Sequence, residues 1–217
     1  IDNLSIKYYH WVLGSWRQKL GKILGKIGLW LCKLMLLGFV ILGYLYFSLP
    51  DVRSLKEVSY QEPLQIYTRD GELIESFGKV HRIPIKIEDV PYFFTQALIV
   101  TEDQRFYEHP GIDVIGVGRA LRELVSTGEK RQGASTITMQ VARNFFLGRE
   151  KTYFRKLNEV LLALAIERSI SKNEILELYL NKIYFGHRAY GIAAAARNYF
   201  GKTLDELTIA EMAILAG

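Results

Sequence analysis

Between Gly28 and Leu49 the chain reads GLWLCKLMLLGFVILGYLYFSL, with Lys33 as its only charge. At about 1.5 Å per residue, a helix of that length crosses the roughly 30 Å hydrocarbon core of a bilayer. No other stretch limits the fold so strongly. A run this apolar must be helical in lipid, and the residues around it are divided between two aqueous sides. Lys33 lies near the N-terminal end, where its stem can snorkel to the headgroups, and Tyr44 and Tyr46 supply an aromatic belt at the other end. A buried core helix would be shorter and more mixed. A cleaved signal peptide would have a shorter apolar run and a small-residue cleavage site, and none stands out.

Charge sets the orientation. The formal balance of +5 is modest, but it is unevenly placed. Lys7, Arg17, Lys19, Lys22 and Lys26 precede the span against one acid, Asp2, whereas Asp51, Arg53, Lys56 and Glu57 after it are mixed. Positive charge stays inside, so residues 1–27 are expected in the cytoplasm as a basic tail, residues 28–49 as the transmembrane helix, and everything after Pro50 outside. The tail interleaves aromatics with its cations and fits either an anionic leaflet or ordinary solvation. A lone cysteine, Cys32, excludes an internal disulfide framework. The start at Ile1 and the stop in mid-pattern at Gly217 suggest a piece of something longer.

After Pro50, two short β-patterned segments flank Asp70-Gly71 and predict a hairpin over residues 64–77. RIPIKI, from Arg82 to Ile87, predicts a further short strand, on an edge because of Pro84. Residues 50–89 thus form a linker with a small β element. From Val90 the pattern is helical. Amphipathic runs predict helices over 113–127, ended by Gly128, then over 135–147 and 152–170. Capping boxes predict further starts at Ser171-Glu174, Thr203-Glu206 and Thr208-Glu211. No period-2 run follows, so residues 90–217 are expected to be mainly α.

Four segments carry possible chemistry. Glu102 to Gly111 (EDQRFYEHPG) crowds acids, Arg105 and His109 onto the end of an apolar helix before Pro110-Gly111 breaks the chain; a solvated helix end is the plain alternative. Glu102, closing that helix, is expected to be partly buried. Gln132 to Gln140 (QGASTITMQ) gathers hydroxyls and amides at a helix start, with Arg143 and Asn144 one turn on. This suits an oxyanion or phosphate, although Ser and Thr are also ordinary caps. Next come Arg149, Lys151, Arg155 and Lys156, with Arg155 and Glu159 on one helix face. Glu159 enters the apolar run VLLALAI, where a carboxylate is more often functional than on a polar face. In KNEILELYLN, from Lys172 to Asn181, the residues Glu177, Tyr179 and Asn181 are expected to be structural. Ser169-Ile-Ser-Lys172 matches an S-x-x-K signature, but no S-D-N or K-T-G partner exists and Ser171 already serves as a cap.

Taken in order, these segments resemble the peptidoglycan glycosyltransferase domain shared by class A penicillin-binding proteins and monofunctional transglycosylases. The shared motifs are ED-x-x-F-x-x-H-x-G at Glu102 to Gly111, G-x-STIT-x-Q at Gly133 to Gln140, R-K-x-x-E at Arg155 to Glu159, and K-x-x-ILE-x-YLN at Lys172 to Asn181. Met139 stands where that family usually has a second Gln. The stretch LPDVRSLK and the hairpin look like the class 1A branch, whose penicillin-sensitive transpeptidase domain would lie beyond Gly217.

The resemblance implies a lysozyme-like, mainly helical fold and polymerisation of lipid II into β-1,4-linked glycan with release of undecaprenyl pyrophosphate. It makes Glu102 the general base, with Asp103 in support. Glu159, Arg155 and Lys156 fall in the donor and pyrophosphate site. Ser135, Thr136, Gln140, Arg143 and Asn144 line the cleft, and Phe106 and His109 shape the catalytic loop. Implied partners are lipid II, the growing glycan chain, membrane lipids and other wall-synthesis proteins, but no nucleic acid. No tightly bound cofactor is expected, and assistance by Mg²⁺ or Mn²⁺ stays open. Two other functions compete: a membrane-anchored lytic glycosidase, which would have no pyrophosphate to hold, and a non-catalytic wall scaffold.

Overall fold

The computed structural model describes residues 3–58, 64–70, 73–77, 81–129, 133–148, 150 and 152–217. Gly71 and Glu72 of the expected hairpin, Gln132, Arg149 and Lys151 lie outside the described residues. The chain divides into two compact units, Ile1–Ser48 and Leu49–Gly217.

The first unit is one helix, α1 (Asn3–Phe47). The basic stretch and the apolar run therefore share a continuous helical backbone, with no break between residues 27 and 28. Its apolar window has a mean hydropathy of 2.0 and none of it is buried, so the helix is long and apolar enough to cross a membrane. Lys33 Nζ lies 5.8 Å from the centre of the Trp30 ring.

The second unit opens with a 3-10 turn, Val52–Glu57, capped by Asp51, whose carboxylate accepts from the Arg53 N–H at 2.9 Å. Val52 and Leu55 are buried by this turn. The expected hairpin is present as β1 (Leu64–Tyr67) and β2 (Leu73–Phe77), paired antiparallel with Leu64 opposite Phe77. The RIPIKI strand is shorter than expected. Only His81–Arg82 (β3) pairs, in parallel with Ala189–Tyr190 (β4), a two-residue strand that carries no legible periodicity.

Among the described residues, seven helices complete the unit: α2 (Tyr92–Glu102), α3 (Val114–Thr127), α4 (Ile137–Phe146), α5 (Tyr153–Ser169), α6 (Lys172–Lys182), α7 (Ile192–Phe200) and α8 (Ile209–Ala216). The domain is mainly α, as its pattern requires. α4 lies against both α5 and α6, and α2 against α8. Ile137, Val141 and Ala142 of α4 meet Leu162 and Ile166 of α5 and Ile175, Leu176 and Leu180 of α6, all without exposed surface.

Caps set the boundaries. Asp113 caps α3, and Gly128 ends it in the left-handed region. Thr152 caps α5, and Ser171 and Thr208 close full capping boxes on α6 and α8. The third expected box starts no helix. Glu206 does accept from the Thr203 N–H at 2.8 Å, but only a turn follows. Thr208 opens α8 five residues after Thr203, which leaves too little chain to nucleate a separate helix, and Leu204 and Leu207 turn inward instead.

The segment before α2 is fastened to α6 by side chains. Asn181 is buried; its Oδ1 accepts from the Ile85 N–H at 2.9 Å and its Nδ2 donates to the Ile85 carbonyl at 2.8 Å. The Glu177 carboxylate accepts from the Ile87 N–H at 2.9 Å. These two polar residues of KNEILELYLN thus take the place of a strand partner for the backbone of Ile85 and Ile87.

Candidate active site

Glu102 and Asp103 are adjacent, yet they face opposite environments. α2 ends at Glu102, and Asp103 leaves helical geometry as its C-cap. Against expectation, Glu102 is exposed and Asp103 is the buried one. Since α2 stops there, the second acid turns inward beneath the first.

Asp103 is held by two elements. Its Oδ1 and Oδ2 lie 2.9 and 3.1 Å from His109 Nε2, and Oδ2 accepts from the Ile137 N–H at 3.0 Å. That amide belongs to the first turn of α4, where unpaired N–H groups favour an anion. The Gly111 N–H donates to His109 Nδ1 at 3.2 Å. Nδ1 is therefore the acceptor nitrogen, and Nε2–H donates to Asp103. The Thr136 hydroxyl closes the circuit by donating to the Gly111 carbonyl at 2.6 Å, while its oxygen caps α4 by accepting from the Met139 N–H at 3.1 Å. Gly111 has φ +96°, and a Cβ there would lie 2.9 Å from the Ala163 carbonyl oxygen, so only glycine allows the loop to lie this close to α5.

A second brace comes from the lysine of the S-x-x-K match. Lys172 Nζ donates to the His109 carbonyl and to Glu167, each at 2.7 Å, and sits 4.5 Å from the centre of the buried Phe106 ring. Thr138 donates to the same Glu167 oxygen. Ser169 only returns a hydrogen bond to the Ala165 carbonyl, at 3.0 Å. Lys172 and Glu167 were not singled out in the sequence as supports of the loop. Their pairing joins two helices to a loop distant in sequence, and no local spacing signals it.

Above this frame, the Glu102 carboxylate lines a cleft of about 360 Å³ with Asp113, Arg119, Ser135 and Thr136. Its Oε2 accepts from Gln140 Nε2 at 2.7 Å. Gln140 Oε1 in turn accepts from Arg143 at a long 3.4 Å. The side chain of Gln140 therefore links the exposed carboxylate to a guanidinium one helical turn away. Arg105 pairs with Asp113, which also caps α3 by accepting from the Gly116 N–H.

The other carboxylate is the reverse of Glu102. Glu159 retains 1% of its surface and is ion-paired with Arg155 and, at 2.9 Å, with Lys156. Lys156 Nζ also donates to Ser135 Oγ at 2.7 Å. Thr136, not Ser135, caps α4, which leaves the Ser135 hydroxyl to face the cleft. A second cavity is lined by Ser135, Arg143, Arg155, Lys156 and Glu159, and a third by Arg143, Asn144, Arg155, Lys182, Tyr184 and Tyr190. Arg143 and Arg155 are common to both.

The structure thus brings Glu102, Gln140 and Arg143 into one hydrogen-bonded chain, and gathers Ser135, Arg155, Lys156 and Glu159 around an adjoining cationic cavity. Asn144 lines the third cavity. Phe106 and His109 lie below the cleft, and Asp103 and Thr136 form part of its wall while their polar atoms hold its frame. Among the described residues, no three His, Cys, Asp or Glu side chains come close enough together to hold a metal ion. Chemically, an exposed carboxylate stands beside fixed cations, which suits proton removal next to a departing anion.

A family model described as transglycosylase matches residues 70–217. The chain belongs to the transglycosylase family. It is 55% identical over 174 residues to penicillin-binding protein 1A of Escherichia coli (strain K12), covering 80% of this chain and 20% of that protein. It is also 55% identical over 187 residues to penicillin-binding protein 1A of Haemophilus influenzae, covering 86% and 21%. The chain spans about a fifth of the length of these curated relatives. A crystal structure of penicillin-binding protein 1A from Haemophilus influenzae aligns over 74% of this chain and 14% of that one, with 34% identity and a TM-score of 0.35.

Asp103→Ala removes the acceptor of two buried donors at once. Loss of the charged hydrogen bonds to His109 and the Ile137 amide should lower stability by about 3 kcal/mol, read as a shift of the chemical denaturation midpoint. A change under about 0.5 kcal/mol would show that Asp103 does not hold the frame.

Proposed function

We propose that this chain is a membrane-anchored peptidoglycan glycosyltransferase that extends glycan strands from lipid II. The observation that carries the reading is the pairing of an exposed carboxylate, Glu102, with an adjoining cavity lined by Arg143, Arg155 and Lys156. The 4-hydroxyl of an incoming GlcNAc gives its proton to Glu102 as its oxygen attacks C1 of the donor MurNAc. The C1–O bond to the pyrophosphate breaks, and undecaprenyl pyrophosphate leaves with the electron pair, its charge met by the three cations. Inversion at C1 gives the β-1,4 link. Gln140 orients the base from α4, and Glu159 fixes Arg155 and Lys156 by drawing both onto one buried carboxylate. A glycosidase would have no use for a fixed cation group of this kind.

On this reading α1 holds the enzyme to the bilayer from which its substrate does not escape. The N-terminus is cytoplasmic and the catalytic unit lies on the outer face of the cytoplasmic membrane, in keeping with the cations that precede the span. Neither carboxylate is assigned to a resident metal.

Polymerisation of lipid II by this chain, run with and without Mg²⁺ or Mn²⁺ and beside a control fed finished glycan, tests the activity. Glycan growth is expected, and cleavage of the control would indicate a lytic enzyme. Glu102→Gln should lower the rate about 10²–10⁴-fold, the usual effect of losing a positioned base, and a loss below tenfold would remove Glu102 from that role. For the orientation, a reporter fused after Gly217 should be active only outside the cytoplasm; activity inside would reverse it.

A further inference from the structure

Among the described residues, Ser135 is the only polar one that lines both the cleft holding Glu102 and the cavity holding Arg143, Arg155 and Lys156; Val117 and Ala134 accompany it at that junction. Its place before α4 would suit a helix cap, but Thr136 fills that role. The Ser135 hydroxyl is engaged from the cationic side instead. Lys156 Nζ donates to Ser135 Oγ at 2.7 Å and to Glu159 at 2.9 Å. An ammonium group only donates, so Oγ is the acceptor and the hydroxyl hydrogen is left to point elsewhere. Among the described residues, no protein group accepts it.

The proposed reaction gives that hydrogen a target. The attacking oxygen loses its proton to Glu102 in the first cavity, and the departing oxygen carries its electrons toward the cations of the second. C1 of the donor passes from one oxygen to the other, so the breaking C1–O bond lies where the two cavities meet, beside Ser135. The phosphates are charged before the reaction begins, and the three cations meet that charge. The bridging oxygen gains its own negative charge only as C1 leaves it. A donor aimed at this oxygen therefore acts on the transition state more than on the bound substrate.

We propose that Ser135 is a catalytic residue whose O–H donates a hydrogen bond to the bridging oxygen as the C1–O bond to the diphosphate breaks. The proposal rests on the glycosyltransferase reading of the site. Lys156 strengthens the donor, because a hydroxyl that accepts from one group is polarised to give to the next. The buried Glu159 carboxylate holds Lys156 in place for this. Ser135 keeps its proton throughout: the acceptor's proton goes to Glu102, the bond pair goes to the departing oxygen, and C1 exchanges one oxygen for another.

Kinetics of lipid II polymerisation by the full chain in detergent, beside calorimetric titration of inorganic pyrophosphate, test the role. Ser135→Ala should lose on the order of 10²-fold in kcat, the size of one donor removed from a developing oxyanion. KM should change little, pyrophosphate should bind within about threefold of wild type, and the melting temperature should hold because the α4 cap is intact. Ser135→Thr keeps the hydroxyl and has the cavities to take its methyl group, so it should be at least about tenfold faster than Ser135→Ala. A kcat for Ser135→Ala within about threefold of wild type overturns the proposal. So does a loss that appears in KM and pyrophosphate binding instead of kcat, which would make Ser135 a ligand of the bound phosphates alone. A lower melting temperature that accounts for the loss, or a Ser135→Thr as slow as Ser135→Ala, also contradicts it. Wild type that binds pyrophosphate but does not polymerise lipid II would overturn the glycosyltransferase reading itself, and this role with it.

Discussion

The bond between the Asp103 carboxylate and the first turn of α4 supports everything above it. One buried anion accepts from His109 on the loop and from the Ile137 amide at the helix start, so the end of α2, the loop through Gly111 and the beginning of α4 are fixed to one another. Glu102 is the neighbour of that anion in sequence and Gln140 lies one turn beyond that amide. The 2.7 Å contact between them therefore follows from the bond below. The Thr136 hydroxyl repeats the same junction from the other side, through the Gly111 carbonyl.

In the proposed reaction, the surroundings of the two glutamates divide one chemistry into two roles. Glu102 is open to the cleft, with one oxygen occupied by an amide and the carboxylate accessible to a hydroxyl. Glu159 is surrounded by core, and its charge is tolerated there only because Arg155 and Lys156 both reach it. A buried pair of this kind contributes little net stability. Its effect is geometric, since two flexible cationic side chains on one face of α5 are drawn to a single point, and Lys156 is carried onto Ser135. Cations held in that way stabilise charge without first having to reorganise.

Much of this was legible in the sequence where the information is local. Ser171 and Thr208 cap the helices they were expected to cap, and the helices expected to start at Asp113 and Thr152 start there, because a helix start depends on residues three or four apart. The hairpin strands and the Arg155–Glu159 pair are local in the same sense. What was illegible depends on contacts between distant segments. Nothing near Asp103 says that it, and not Glu102, is buried; that follows from where α4 begins. The Thr203 box satisfies the local rule and still starts no helix, because Thr208 follows too closely and two leucines are drawn into the core. The parallel pairing of His81–Arg82 with Ala189–Tyr190, the anchoring of Ile85 by Asn181 and the bracing of His109 by Lys172 all join residues with no sequence spacing to betray them.

The central claim is that the two carboxylates act separately, one on the proton and one on the phosphates. It is tested most directly by titrating a lipid-linked diphosphate mimic onto wild type, Glu102→Gln and Glu159→Gln by calorimetry. The account predicts that Glu102→Gln binds the mimic within about twofold of wild type, while Glu159→Gln, with Arg155 and Lys156 released, binds it at least tenfold more weakly, a difference of about 1.4 kcal/mol. Equal losses in the two variants, or a loss confined to Glu102→Gln, would contradict it.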